Sequence, residues 1–490
     1  MPSQTQPALY PPTVAPAREG LPGLAYVAKV VINPLRGTPE RAYTEPVVHY
    51  NVINTDLAWV SRPDLIERVM LHDTETFVKS PMEARVLGPT LGDGLLTASG
   101  ASWKWQRKVA APLFRQQDVL AYVPAMTAAA EAQLQAWRQR SAIRPSRLAN
   151  GENNPGSRSA APENMRTNGS SAIVSDVLAD MKAATFNVIL NTILNGCAPA
   201  ESETIQRADR TYIRLTPWAI AAGMLQTPHW MWYPGKGTML RASQEMRATV
   251  LALVRRRRAA YEASGEAGGD ILGRLLEARN PETSEPMTDG RMVDNLATFL
   301  EAGHQTTAQA LTWSLYLMAL APAWQDRVRA EVEAVAGSAV ISADHVNALP
   351  VTLRVLKESM RLYPPVPVIV RAAAADCELG GIAIPKGTQV MISVYVLHRH
   401  RALWDDPDRF DPDRFLPERE QLLPRAQYMP FGFGMRTCIG MPFAYAEGVS
   451  MLATLVRGAR FACDPALAPE PISQVTLSPK GGMPLSITML

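Results

Sequence analysis

The chain has 490 residues, of which 47% are hydrophobic and 19% charged, with a formal net charge of +3. This near-neutral globular balance gives no general reason to expect a nucleic acid or an acidic macromolecule as partner. The four cysteines (Cys197, Cys377, Cys438, Cys463) are far apart and form no CxxC or Cys–His cluster, which argues against a disulfide framework, a zinc ribbon, an iron–sulfur cluster and c-type haem attachment, and for a reducing, cytoplasmic compartment.

The N-terminal "MPSQTQPALYPPTVAPAREG" is proline-rich and polar and lacks the charged and apolar regions of a signal peptide. Residues 1–19 read as a flexible tail ahead of a single domain over 20–490. The stretch "LPGLAYVAKVVINPL" is broken by Pro22, Gly23, Lys29 and Pro34 and is too short to span a bilayer. Residues 44–60 alternate and are rich in Val and Tyr, as in a small antiparallel sheet. From about residue 102 the pattern is helical, with a break near Pro112. The Ser/Asn/Gly/Pro segment 141–171 reads as a flexible surface insertion, because the helical pattern resumes directly after it.

Further helices are expected over 174–196, 201–225, 237–264, 288–320, 323–336 and 350–362, with a shorter one after Pro442. Short β-like runs fill 365–395. Helices outweigh strands and no βαβ alternation appears. The fold class is therefore mainly α with a small β region, not a doubly wound sheet.

"MPFGFGMRTCIGMPFAYAE" sets Cys438 among Gly432, Gly434 and Gly440, beside Arg436 and before a helical pattern. Glycines let backbone curl close around a sulfur, and N–H groups at a helix start stabilise a thiolate. Arg436 suits an anionic carboxylate. Taken alone, the same cysteine also reads as a buried structural residue.

Its surroundings favour the first reading. Phe431, Gly434, Arg436, Cys438 and Gly440 fit F-x-x-G-x-R-x-C-x-G, and the stretch resembles the haem-binding loop of the cytochrome P450 family. The resemblance implies haem b with Cys438 as its axial iron ligand, and thiolate ligation favours O–O cleavage. Other segments are similar to the family's in order and spacing. "KESMRLYPPVP" places Glu358 and Arg361 at i, i+3, by itself an ordinary ion pair. "PDRF" supplies Arg414, which the resemblance adds to that pair as a buried structural triad. Trp103 and Arg107 in "WKWQR", together with Arg371 and Arg436, are implied partners of the two haem propionates.

In "FLEAGHQTTAQAL" the family's distal-helix pattern falls on Ala302, Gly303, His304, Gln305, Thr306 and Thr307. Small residues would leave space for dioxygen, and a threonine bonding back to the preceding turn opens the helix locally. Gln305 stands where the family usually has an acid, and it cannot ionise. Proton delivery is then expected from Thr306 and water, assisted by Glu301.

By position, Leu300, Ala302, Val368, Ile369 and Thr476 are the expected pocket lining, apolar enough for a lipophilic small molecule. The resemblance implies a monooxygenase that inserts one atom of dioxygen. Its electrons would come from NADPH or NADH through a separate ferredoxin- or flavodoxin-type donor. Lys104 and Lys108 are the candidate docking face for that donor. The expected state is a monomer. Two rivals accompany this reading: peroxide-driven oxidation or oxidative coupling at the same site, and a haem-thiolate gas or redox sensor. "PHWMWYPGKG" at 228–237 is either a substrate-access loop or core packing. His398 and His400 read as surface or hydrogen-bonding groups.

Overall fold

The structure is a computed structural model that describes residues 8–17, 23–53, 55–149, 172–194, 197–225, 227–228, 230–280 and 283–490. The hairpin expected over 44–60 forms as β1 (Val47–Val52) and β2 (Thr55–Val60). Three later strands join it: β3 (Phe77–Lys79), β4 (Ile369–Ala373) and β5 (Gln389–Ile392). The sheet order is β1-β2-β5-β4-β3, with β2 and β5 parallel and the other pairs antiparallel. The register sets Lys79 opposite Arg371.

The remainder is mainly helical, as the pattern implied. The elements that position the site are α1 (Gly100–Ala110), α2 (Val177–Ile193), α3 (Pro199–Met224), α4 (Lys236–Ser264), α5 (Asp289–Leu320), α6 (Pro350–Leu362) and α7 (Met441–Gly458). The break near Pro112 is a 3-10 turn over Ala111–Phe114. It follows because proline has no N–H to continue the α-helical ladder.

Helix α5 explains where the cavity sits. Its first turns (Met292, Val293, Leu296, Ala297, Phe299 and Leu300) pack in one apolar core with α2 and α4. Its last turns (Ala308, Leu311, Leu315 and Met318) pack in another with α6 and α7. The segment between them, around Ala302–Thr307, faces an internal cavity of about 1120 Å³. A helix anchored in two cores holds the residues between them in a fixed orientation.

Two expectations about the chain's margins are corrected. Residues 8–17 of the expected flexible tail are held: the Phe410 N–H donates to the Leu9 carbonyl at 2.9 Å and the Val14 N–H to the Tyr395 hydroxyl at 3.0 Å. The Tyr363 hydroxyl donates to the Pro12 carbonyl at 2.8 Å, and Val14 is buried. Prolines restrict the unfolded chain, so ordering this stretch costs less than its polar composition suggested. The helix Val123–Ala149 also runs into the expected insertion 141–171, because Ala142, Arg144, Leu148 and Ala149 are helix formers. Residues 150–171 lie outside the described residues. Among the described residues, no helix is long and apolar enough to cross a membrane.

Candidate functional site

The cavity floor is the loop before α7. Gly432 and Gly434 adopt φ of 73° and 70°. A Cβ on Gly434 would stand 2.3 Å from the Met70 carbonyl oxygen, so the loop's path admits glycine only. Gly434 fixes this path and does not itself line the cavity. The Cys438 N–H donates to the Phe431 carbonyl at 2.9 Å, closing the loop on itself. The Cys438 sulfur faces the cavity, and a Cβ on Gly440 would lie 3.7 Å from it. Burial raises the Cys438 thiol, while the N–H groups of Gly440 and Met441 and the charge of Arg107 work in the opposite direction. Those N–H groups, at the start of α7, are the donors a thiolate needs.

At the rim, Trp103 of α1 lies between two guanidiniums, with Arg107 at 5.6 Å and Arg436 at 4.1 Å from its ring. Arg436 is anchored by donation to the Ala98 carbonyl at 2.9 Å, and Arg371 on β4 by donation to the Val370 carbonyl. The Arg436 guanidinium is drawn down to about 10 by burial and by the like charges of Arg371 and Arg107, against which Glu83 acts. Lys79, opposite Arg371 in the sheet, adds a fourth cation and pairs with Glu83 at 2.8 Å. Sequence reasoning missed Lys79, because a lone lysine in a three-residue strand carries no signal. Such a cluster of partly buried cations calls for an anion.

The roof is α5. The Thr306 hydroxyl donates to the Ala302 carbonyl at 2.7 Å, and that of Thr307 to the Gly303 carbonyl at 3.2 Å. The space of the missing Gly303 side chain is filled by Ile189 of α2, 2.6 Å from a built Cβ. Its smallness therefore serves helix packing as well as the cavity. Leu300 does not line the cavity, which corrects its assignment to the pocket. Two residues from Ala302 it lies on the opposite face of α5 and packs in the core. Val368, Ile369, Thr476 and Phe431 do line it.

Gln305 is buried, and its amide donates to both oxygens of Asp209 on α3 at 2.9 Å. Asp209 is 96 residues away in sequence, and nothing in its local pattern could have marked it.

Beneath the floor, the Glu358–Arg361 pair is fully buried, with Nε–Oε2 at 2.6 Å and an Nη–Oε1 contact at 2.8 Å. Arg361 also donates to the carbonyls of His398, Pro407 and Arg409. Arg414 approaches Glu358 only to 3.6 Å and is held instead by donation to the Asp406 carbonyl at 2.7 Å. His398 proves wholly buried rather than superficial. It sits between the Arg361 carbonyl (3.2 Å) and the Met429 N–H (3.0 Å), linking α6 to the stretch that enters the cysteine loop.

Lys104 and Lys108 are exposed on α1. The aromatic segment after Pro228 is not core: Trp230 and Trp232 are 81% and 75% exposed, beside cavity-lining Thr227 and Pro228.

The Cytochrome P450 family model matches residues 40–151 and 157–485. Cyclooctatin synthase of Streptomyces melanosporofaciens is 30% identical over 95% of this chain and 93% of its own. Cyclooctat-9-en-7-ol 5-monooxygenase of the same organism is 31% identical over 80% of this chain and 77% of its own. The cytochrome P450DA haem domain superposes with a TM-score of 0.78 at 25% identity, covering 97% of this chain and 98% of that one. This chain belongs to the cytochrome P450 family, and with it to the oxygen-incorporating oxidoreductases that bind haem b. The residues fit that group: a sulfur approached by N–H donors on the floor, guanidiniums at the rim for its carboxylates, and a cavity larger than the roughly 300–1,000 Å³ of a typical ligand site.

Proposed function

We propose that this member of the family inserts one atom of dioxygen into a lipophilic small molecule. Its electrons come from NADPH or NADH through a ferredoxin- or flavodoxin-type protein that docks near Lys104 and Lys108. The observation that carries the reading is the alignment of the Cys438 sulfur with the guanidiniums of Arg107, Arg371 and Arg436 below one cavity and Thr306 above it.

Bound there, haem b supplies the iron at which dioxygen is reduced and activated. The chain's own residues do the rest. Cys438 would hold the iron through its sulfur, and the N–H groups of Gly440 and Met441 favour its thiolate form. Arg107, Arg371 and Arg436 would hold the two propionates, with Trp103 as a stacking platform for Arg107 and Arg436. Glu358, Arg361 and Arg414 are structural. The Thr306 hydroxyl, now committed to the Ala302 carbonyl, remains an acceptor and can orient a water beside the reacting oxygen. Val368, Ile369 and Thr476 present a mostly apolar wall to the substrate. A relative named for oxygenating position 5 of cyclooctat-9-en-7-ol supports a substrate with few polar groups.

The test is optical. Reduced, haem-loaded protein under carbon monoxide should show the red-shifted Soret band of thiolate ligation, and Cys438→His should abolish it. Lipophilic candidates that displace water from the haem should then shift the ferric spectrum and be oxidised with reductant and dioxygen. Survival of the red-shifted band in Cys438→His would overturn the ligand assignment.

A further inference from the structure

Behind the roof of the cavity lies a group of buried ionisable side chains that the reading above does not use. Asp209 of α3 is met by three neighbours from one stretch of α5. The Gln305 amide donates to both its oxygens at 2.9 Å, and the His304 Nε2 stands 3.5 Å from Oδ2. Glu301 is the third, near enough for the Asp209 charge to act on its carboxyl. The His304 Nδ1 lies 2.6 Å from the Leu300 carbonyl, which can only accept, so Nδ1 carries a proton. The Nε2 faces the Asp209 carboxylate.

Glu301 lines the cavity, and its Oε1 is buried without a hydrogen-bond partner. Burial first, then the charge of Asp209 and the hydrogen bond to it, push the Glu301 carboxyl well above its ordinary range. Burial alone would also raise Asp209. Hydrogen bonding and charge from His304 outweigh that, helped by the Glu301 hydrogen bond and by Lys182 of α2, and hold it below the usual carboxylate range. The pair therefore divides into an acid, Glu301, and an anion, Asp209. Tyr212 of α3 also feels the Glu301 charge, and Arg210 acts on Lys182.

We propose that Glu301 is the proton donor of this site, positioned by Asp209, and that this pair supplies across two helices the acid that Gln305 cannot. The proposal rests on the monooxygenase reading, in which two protons and two electrons accompany each dioxygen and one oxygen atom leaves as water. A half-turn of the Glu301 carboxyl about Cγ–Cδ moves its O–H from Asp209 to the cavity, where water or Thr306 carries the proton on. The resulting pair of carboxylates is transiently balanced by Lys182. Lys182 is partly exposed, so a replacement proton enters from solvent on its side and returns through Asp209 to Glu301. Asp209 is a positioning residue, acting only through Glu301.

The test uses the full chain, loaded with haem, in Glu301→Gln, Asp209→Asn and Glu301→Gln/Gln305→Glu forms. Infrared spectra should show buried protonated-carboxyl C=O bands that shift in heavy water, one from Glu447, which burial pushes up to about 8, and one from Glu301. The Glu301 band should be absent from Glu301→Gln, and weakened in Asp209→Asn because Glu301 then lacks the neighbouring charge that raises its carboxyl. Hydrogen-peroxide-driven oxidation of guaiacol needs neither the native substrate nor a redox partner. It should slow by about 10²-fold in both single variants, the lower end of a positioned general acid's contribution. The double variant, which moves the acid to position 305, should recover most of that loss. A spectrum in which Glu301→Gln removes no band, or a parental guaiacol rate in whichever single variant loads haem, would overturn the proposal. A parent lacking the red-shifted carbon monoxide band would instead overturn the function on which it rests.

Discussion

Replacing Arg361 by alanine should destroy the haem pocket without touching the cavity. The side chain is fully buried and makes five polar contacts: two to Glu358 at 2.6 and 2.8 Å, and three to the carbonyls of His398, Pro407 and Arg409 at 2.8, 2.7 and 3.0 Å. Glu358 would keep only the Asp411 N–H at 2.8 Å and the distant Arg414. Breaking a buried pair from one side costs about 3–5 kcal/mol, because the remaining charge is uncompensated. Carbonyls left without donors add about 1–3 kcal/mol each where water cannot reach them. Against a typical stability of about 5–15 kcal/mol, the sum unfolds the region under the cysteine loop. Arg361→Lys should fail almost as badly, since one ammonium with three donors cannot serve five acceptors. The double replacement Glu358→Leu/Arg361→Leu, which leaves no bare charge, should cost less than either single change, and their difference measures the coupling. The assays are haem content after expression and denaturant unfolding of whatever is soluble. Soluble, haem-loaded Arg361→Ala with parental stability would refute the reasoning.

Reversing Lys104 and Lys108 to glutamate should slow first-electron transfer from an acidic donor and flatten its salt dependence, with substrate-induced spectral shifts unchanged; equal rates across a salt series would exclude this face. Thr306→Ala should divert reducing equivalents to hydrogen peroxide while oxygen uptake persists, read as product and peroxide per nucleotide consumed; parental coupling would remove Thr306 from the proton path. Burial, aided by the charge of Arg361, holds the His398 imidazole down to about 3 from an ordinary 6.5, so below 6.5 the unfolded chain takes up the proton first. The stability contributed by neutral His398 is thus complete above 6.5 and lost as pH falls toward 3, and His398→Asn should show a shallower acid loss in thermal unfolding.

Sequence reading succeeded where the signal is local. The cysteine loop is a run of backbone constraints, and most helix spans follow from periodicity to within a few residues; Val123–Ala149, which runs into the expected insertion, and Met441–Gly458, expected to be shorter, do not. It failed where the answer depends on direction or distance. Leu300 was taken for a pocket residue by its position in the resembled pattern, although residues two apart on a helix, as it and Ala302 are, face nearly opposite ways. The prolines at 11 and 12 looked like disorder, and only the buried Tyr363 and Tyr395 on distant elements give them a reason to be ordered. His398 was read as a surface or hydrogen-bonding group, and only the second alternative holds, because it is buried. Its partners, the Arg361 carbonyl and the Met429 N–H, lie 37 and 31 residues away.

Gln305 shows how such a distance changes a conclusion. In sequence it is a missing acid. In the fold its amide donates to Asp209, a buried carboxylate that feels the charge of Lys182 and in turn raises the Glu301 carboxyl. A carboxylate at 305 would be the third acid around one buried spot, and like charges so close cannot all ionise. Gln305→Glu alone should therefore be destabilised relative to the parent, and increasingly so as pH rises. The new carboxyl's folded-state affinity for protons is raised, so whatever its protonated form contributes is lost on the alkaline side. Gln305→Glu/Asp209→Asn restores the count to two carboxyls and should remove that pH-dependent difference in thermal unfolding. If Gln305→Glu matched the parent from acid to alkaline pH, Asp209 would not be the anion that makes an amide necessary at position 305.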